Sequence, residues 1–374
     1  MKIGYDAKRF FHNHTGLGNY SRTLIQDFLE FYPENEVTLF GSNTDKSPYK
    51  KDVHCSIIDP GKQLKSYWRS YSIYKDINRE KLQIYHGLSN ELPLTSHRIN
   101  AYKVVTIHDL FFEKYPDDFT CLDRKMYGYK TRKACQNADH IIAISEATKN
   151  DIVEILGVNP AKISVIYQSC NRVFQTNTLH KTSKKYQLKL DELPEDFALF
   201  VGTLNKRKNI MGLLKAISIL PKKDRIPLVI VGNGKADFVS KLKEFITKNN
   251  MQKEVFWMGS LQNFELKQLY QRAKFCCLPS FYEGFGIPII ESLFCGTPVL
   301  YSNVSALPEA AGACGMSCNP YDFHTISHSF NILATNKVLI ADYQSNIEDH
   351  VNSFKSKRTS NSLLKLYESI FFHH

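Results

Sequence analysis

FCCLPSFYEGFGIPIIESLFCGTPVLYS, residues 275–302, runs from a short apolar stretch through a glycine-bearing loop and a helical stretch into a second apolar run. FCCLP (275–279) and PVLYS (298–302) have the composition of buried strands. Between them Gly284 and Gly286 permit a tight loop, Pro288 suits the first turn of a helix, and Cys295-Gly296 makes a reasonable end to it. Strand, crossover helix and strand is the unit from which parallel sheets are built. Glu283 then falls in the loop and Glu291 in the helix. On one unbroken helix these carboxylates would be separated by a rise of about 12 Å and a turn of about 800°; with the first in a loop, both can face one ligand. The opening amides of the helix, near Phe285 to Ile287, have no partner within it and carry roughly half a positive charge from the aligned peptide dipoles, a ready place for phosphate. Hydroxyl acceptors on either side of an anion site match a ligand with hydroxyls at both ends and phosphate in the middle, the layout of a nucleotide sugar.

The same alternation runs through the chain. KIGYD (2–6), EVTLF (36–40), QIYHG (83–87), KVVTIHD (103–109), HIIAIS (140–145) and ISVIY (163–167) read as strands, with helical stretches at about 19–32, 64–80, 121–136 and 146–156. Residues 168–196 are polar and basic with little periodicity. A second series begins at FALFVG (197–202) and continues through PLVIVG (227–232), EVFWMG (254–259), FCCLP and PVLYS, with helices at about 209–220, 236–249 and 263–273. The expectation is an α/β protein of two doubly wound Rossmann-like domains facing a central cleft: residues 1–172, residues 173–354, and a C-terminal helix, 355–374, returning to the first domain. In such sheets ligands bind where strands end, so function belongs to the loops that follow strands.

Composition limits the alternatives. The chain has 374 residues, 43% of them hydrophobic and 23% charged, the profile of an ordered protein of more than one domain. No apolar run is long enough to span a bilayer, and MKIGYDAKRF lacks the apolar core of a signal peptide, so a cytoplasmic chain is expected. Nine cysteines without a C-x-x-C pair point to reduced thiols, with Cys276, Cys277 and Cys295 in the core. A net charge of +11 attracts anions: phosphorylated small molecules, an anionic membrane face at which the protein would be peripheral, or nucleic acid. No nucleic-acid-binding signature accompanies the charge, so nucleic acid is not expected as a partner. HKTSKK (180–185), PKKDR (221–225) and KSKR (355–358) read as solvated faces.

A second basic feature lies in VGTLNKRKN, where Arg207 and Lys208 sit between a strand end and a helix start. Arginine grips two phosphate oxygens at once and lysine supplies a compact charge. SFYEGFGIPIIESLFCGTPVL, GTLNKRKN, TGLGNYSRTL, IHDLFF and ISEATKNDI, in this order along the chain, resemble the retaining glycosyltransferases of the two-Rossmann-domain (GT-B) type, family four. The resemblance implies that Glu291 holds the ribose hydroxyls and Glu283 those of the donor sugar, that Arg207 and Lys208 neutralise the diphosphate, and that the backbone at Phe285 and Gly286 caps it. It further implies that Gly16 and Gly18 form a loop near the donor phosphates and acceptor, that His108 lies beside the donor sugar, and that Asp109 orients the acceptor hydroxyl. His86, which follows a strand, is a candidate on the acceptor side. One departure is visible: Thr203 follows Gly202, the strand-end glycine, where many members carry arginine, leaving the phosphate grip to Arg207 and Lys208.

No Asp-x-Asp triplet is present, so no metal or other cofactor is expected, and leaving-group charge falls to Arg207, Lys208 and the helix N-terminus. The function expected is transfer of a hexose, mannose or glucose, from a GDP- or UDP-sugar to a saccharide or lipid-linked acceptor in cell-surface polysaccharide assembly. An epimerase or phosphorylase on the same scaffold is the nearer alternative; a non-catalytic glycan-binding protein would not need a diphosphate grip. A dinucleotide-dependent oxidoreductase fits poorly, because in TGLGNYS the third glycine is replaced by Ser21 and the second strand ends in Phe40-Gly41-Ser42 with no acid for a ribose.

Overall fold

A computed structural model describes residues 1–176 and 184–372. The chain divides into two compact units, Met1–Ser169 with the stretch from Lys355 onward, and Cys170–Phe354. The first division thus falls after Ser169 and not after 172. The connector read as aperiodic holds short helices at Arg172–Gln175 and Lys184–Asp191; residues 180–183 of the HKTSKK run lie outside the described residues.

In the first unit the strands are β1 (Lys2–Asp6), β2 (Glu36–Phe40), β3 (Ser56–Ile58), β4 (Ile84–Gly87), β5 (Tyr102–Ile107), β6 (His140–Ala143) and β7 (Ile163–Val165). Among the described residues they form one parallel sheet in the order β3-β2-β1-β4-β5-β6-β7. β1, β2, β4, β5 and β6 are largely apolar runs rich in β-branched and aromatic residues, as expected of strands covered on both faces. β3 escapes the sequence reading because three residues at an edge, Ser56 exposed and Ile57 and Ile58 half-buried, carry no periodicity. The stretch 64–80 is one helical run with a π turn, Trp68–Ser72, between Lys65–Tyr67 and Ile73–Arg79.

The C-terminal helix, Ser356–Phe372, belongs to this unit. It lies against Gly16–Phe31 and buries Leu363, Leu366, Tyr367 and Ile370 in a cluster with Ile3, Tyr5, Phe28 and Ile84. The spacing of those four residues is that of one helical face. On the opposite side of the sheet a second cluster gathers Trp68, Ile73, Ile77, Val105, Ala134, Cys135 and Ile152.

The second unit contains β8 (Ala198–Val201), β9 (Leu228–Val231), β10 (Val255–Gly259), β11 (Phe275–Leu278), β12 (Val299–Ser302) and β13 (Gly315–Cys318). Their order among the described residues is β10-β9-β8-β11-β12-β13, again parallel throughout. β13, GMSC, is built of small and polar residues at the sheet edge and gives no strand signal in the sequence. Cys276 and Cys277 are fully buried and Cys295 partly so; all nine cysteines are unpaired thiols. Among the described residues no helix is long and apolar enough to cross a membrane.

Candidate functional site

β8 and β11 are neighbours, yet the chain leaves β8 toward β9 and β10 and leaves β11 toward β12 and β13, in opposite directions. Loops that diverge at such a reversal leave a crevice at the carboxyl ends of the strands, the usual ligand position in open α/β sheets. The loop after β8 is GTLNKRKN and the loop after β11 is PSFYEGFG. Two segments some 75 residues apart are therefore brought together by the strand order alone.

They are joined by more than proximity. The Phe281 amide donates to the Arg207 carbonyl at 2.9 Å, and Arg207 Nη1 donates to the Tyr282 carbonyl at 2.8 Å. Glu283 is the anion both cations share: Arg207 Nη1 lies 2.7 Å from its Oε2 and Lys208 Nζ lies 2.6 Å from its Oε1. Glu283 and Lys208 are buried, at 7% and 8% exposure. Burial opposes the Glu283 charge, but Lys208 and Arg207 outweigh it and hold the carboxyl down at about 2. Supporting bonds fix each part: the Glu283 amide donates to Ser305 Oγ at 3.0 Å, the Lys208 amide to Asn205 Oδ1 at 3.0 Å, and Asn209 Nδ2 to the Pro320 carbonyl at 2.8 Å.

The helix Ile287–Phe294 follows, capped by Gly286 at φ +115 with Pro288 in its first turn. A Cβ at Gly286 would stand 2.8 Å from Leu307 Cδ2 in a backbone region that L-residues avoid, so this turn requires glycine. Phe285 puts its ring in the core, against Phe354. Glu291 lies within the helix, where Tyr270 Oη donates to its Oε2 at 3.0 Å. Burial pushes its carboxyl up to about 7; the Tyr270 hydroxyl and nearby Lys208 pull the other way without reversing this. Lys208 thus pairs with one acid and acts electrostatically on the other. Gly202 closes β8 at φ +154, with the Lys208 side chain passing beside it.

The residues assigned to sugar hydroxyls and to phosphate are paired with one another here. Glu283, expected to offer its carboxylate to sugar hydroxyls, has its oxygens committed to Arg207 and Lys208. The cations expected to be open toward phosphate are in turn held by Glu283.

In the first unit, His108 follows β5 and is buried. Its Nε2 donates to the Leu88 carbonyl at 2.8 Å, since a carbonyl can only accept, leaving Nδ1 as the unprotonated nitrogen. Burial depresses its pKa to about 4, so the ring is neutral at physiological pH. Tyr20 meets it edge-on, ring centroids 4.6 Å apart. Asp109 accepts the Phe111 amide at 3.2 Å, and its carbonyl accepts from Asn90 Nδ2 at 3.0 Å. Gly16 opens the helix Gly16–Phe31 with open space around it, whereas a Cβ at Gly18 would lie 1.8 Å from the Asn13 carbonyl oxygen. Gly18, in the first turn of that helix, is therefore required by the close approach of the preceding Asn13 backbone.

His86 is not an acceptor-side residue. It is fully buried, with Nδ1 at 2.6 Å from Tyr367 Oη and Nε2 at 2.8 Å from Thr106 Oγ1, and burial together with His108 lowers its pKa to about 3. The histidine ties the C-terminal helix to the sheet. A strand-end position suggested exposure; the helix arriving from the far end of the chain covers it.

Sequence reading missed several residues. Tyr270 stands on the preceding helix, with no motif linking it to Glu291. At the corresponding reversal in the first unit, between β1 and β4, Arg69 pairs with Asp6 at 2.6 Å and Glu91 at 2.7 Å, while Lys130 reaches Glu91 at 3.2 Å. These four come from separate elements and share no spacing. No three His, Cys, Asp or Glu side chains come together to hold a metal ion among the described residues.

Residues 183–350 match the family "Glycosyl transferases group 1", and residues 15–171 match "Glycosyltransferase Family 4". The chain is 29% identical over 349 residues to O-antigen chain mannosyltransferase B of Escherichia coli, covering 87% of this chain and 89% of that protein. It is 27% identical over 257 residues to O-antigen chain mannosyltransferase RfbU of Salmonella typhimurium, covering 69% and 66%. Among solved structures it is similar to Anabaena Alr3699/HepE in complex with UDP and glucose, at a TM-score of 0.77, 18% identity and coverage of 99% and 100%. Sucrose-phosphate synthase from Thermosynechococcus elongatus matches at a TM-score of 0.78 and 19% identity, with 100% coverage of both chains. The chain belongs to the group 1 glycosyltransferases of GT-B fold.

Proposed function

We propose that this glycosyltransferase moves a hexose from a nucleotide-diphosphate sugar to a saccharide or lipid-linked acceptor, with retention of anomeric configuration, in the assembly of a cell-surface polysaccharide. The mannosyltransferase relatives favour mannose as the hexose over glucose. The observation that carries the reading is the Arg207–Glu283–Lys208 triad at the reversal of the second sheet, beside the opening of the helix that carries Glu291.

In this reading the diphosphate enters against the two cations and the first amides of Ile287–Phe294. Phosphate oxygens then compete with Glu283 for Arg207 and Lys208, and the carboxylate so released meets hydroxyls of the donor sugar. Glu291, as carboxylate, accepts the ribose hydroxyls. The acceptor oxygen bonds to the anomeric carbon on the face from which phosphate leaves, the carbon–phosphate oxygen bond breaks, and the acceptor proton passes to the departing phosphate. Fixed cations and the helix start stabilise the charge on that phosphate, so the step needs no metal. In the first unit, His108, Asp109 and the helix start at Gly16 and Gly18 are the groups this reading assigns to the donor sugar and the acceptor. None of the relatives named above is an epimerase or phosphorylase.

Thermal-shift measurements with UDP, GDP and ADP and their sugars test this. At least one nucleotide should raise the melting temperature, Lys208→Met and Glu291→Ala should remove most of the rise, and NMR of the disaccharide product should show the donor's anomeric configuration. A chain that no nucleotide stabilises, or a product of inverted configuration, refutes the proposal.

A further inference from the structure

Two helical segments of the first unit present apolar side chains to water. Leu64, Tyr67 and Tyr71 recur at i, i+3 and i+7 and are exposed, Leu64 at 81%, and the stripe ends in exposed Lys75. On Cys121–Asn137 the exposed residues Leu122, Met126 and Tyr129 recur at i, i+4 and i+7, Leu122 at 78%, and that stripe ends in exposed Lys133. The inward face of this second helix is small, made of Gly128, Thr131, Ala134 and Cys135. Its bulky apolar residues thus point away from the core, the reverse of the pattern expected for a helix that only covers a sheet.

The stripes share one side of the molecule. Trp68, Ile73 and Ile77 of the first segment and Ala134 and Cys135 of the second enter the same core cluster, so both segments cover the same face of the sheet. Arg69 and Lys130 meet at Glu91, at 2.7 and 3.2 Å, binding the two together. Tyr67 and Tyr71 stack with ring centroids 5.5 Å apart.

The charges around the stripes are basic. Lys62, Lys65 and Lys75 accompany the first and Lys125 and Lys133 the second, while Arg124 and Arg132 are held by Glu113. Of the acids on the same segments, Asp76 accepts from Trp68 Nε1 and pairs with Arg79, and Asp123 accepts from the Thr120 hydroxyl at the helix start. Asp117 and Asp118 precede the helix, and Asp117 lines a surface pocket together with Lys125 and Tyr129. Aliphatic and tyrosine side chains flanked by lysines suit the boundary of a bilayer rather than a nucleic acid, which offers no apolar phase for Leu64, Leu122 and Met126.

The geometry points to this outer helical face as a docking surface for an anionic lipid bilayer, Leu64 and Tyr67 with Leu122, Met126 and Tyr129 entering the headgroup region and the lysines pairing with lipid phosphates. None of these residues belongs to the candidate catalytic site, so docking and transfer are separable.

Vesicle co-sedimentation of the full chain tests it, with vesicles of phosphatidylcholine alone or with about one third phosphatidylglycerol. The parent should sediment with anionic vesicles and release as salt rises from about 0.05 to about 0.5 M. Leu122→Ser with Met126→Ser, and separately Lys125→Glu with Lys133→Glu, should each weaken binding about tenfold or more, with melting temperature and transfer to a soluble acceptor unchanged. Equal recovery with neutral and anionic vesicles, or parent-like binding by both variants, overturns the proposal. So does a parent that ignores vesicles while light scattering shows a dimer that Leu122→Ser with Met126→Ser separates, which would assign the face to a second copy of the chain.

Discussion

Replacing Glu291 by glutamine removes a titratable group whose environment works against its charge. Carrying this carboxyl from 4.5 in the unfolded chain to about 7 in the folded one makes its ionisation costlier by about 3 kcal/mol. The sign follows from which state loses its proton first. Below pH 4.5 both states hold the proton and Glu291 contributes no pH dependence. Between 4.5 and about 7 the unfolded chain ionises while the folded chain resists, so stability drains away as pH rises; above 7 the loss is complete. Glutamine keeps the shape and can still accept the Tyr270 hydrogen bond, but does not titrate. Urea unfolding, followed by Trp257 on β10 in a Trp68→Tyr background common to both proteins, compares them at matched pH. The variant's stability relative to the parent should rise by about 3 kcal/mol between pH 4.5 and 8, other titrating groups cancelling in the difference. Parallel pH profiles would mean that Glu291 is solvated and ordinary, and the buried, Tyr270-bonded carboxyl would have to be abandoned. Under the proposed function a second signature accompanies the first: nucleotide affinity of the parent falls as pH drops below 7, whereas the variant binds weakly at every pH.

Glu283→Gln leaves two neighbouring cations without their shared anion and should cost about 3–5 kcal/mol; a nucleoside diphosphate replacing that anion should raise the variant's melting temperature more than the parent's, and equal shifts in differential scanning fluorimetry would contradict the triad's role. Gly18→Ala forces a Cβ to within 1.8 Å of the Asn13 carbonyl oxygen and should destabilise by more than about 2 kcal/mol, while Gly16→Ala, with open space around it, should be nearly neutral; urea midpoints of the two variants decide. Tyr367→Phe removes the hydroxyl bonded to buried His86 and should cost about 1–3 kcal/mol without altering nucleotide affinity, as unfolding and calorimetric titration would show.

Much of the architecture was legible before any coordinates. Buried parallel strands declare themselves as short apolar runs because both faces are covered, and that is why KIGYD and FALFVG could be placed almost to the residue. Edge strands such as Ser56–Ile58 and Gly315–Cys318 bury less, need fewer apolar residues, and leave no pattern to read. Glycine and proline positions located the turn at Glu283 and the helix beyond it, because backbone conformation is a local property of the residue that adopts it.

Local rules do not reach pairings set by strand order. That Arg207 and Lys208 would lie against Glu283 follows from β8 and β11 being neighbours, and no spacing along the chain encodes that adjacency. The same holds for Tyr270 beside Glu291, for Arg69 between Asp6 and Glu91, and for His86, which reads as a strand-end ligand until the C-terminal helix covers it. Residue types and their order along the chain were enough to establish two parallel-sheet units and to nominate Glu283, Glu291, Arg207 and Lys208 as candidates for one site. Their states of charge were settled only by folding, since a carboxyl held at about 2 and another raised to about 7 differ in nothing but the cations and the burial that the fold assembles around them.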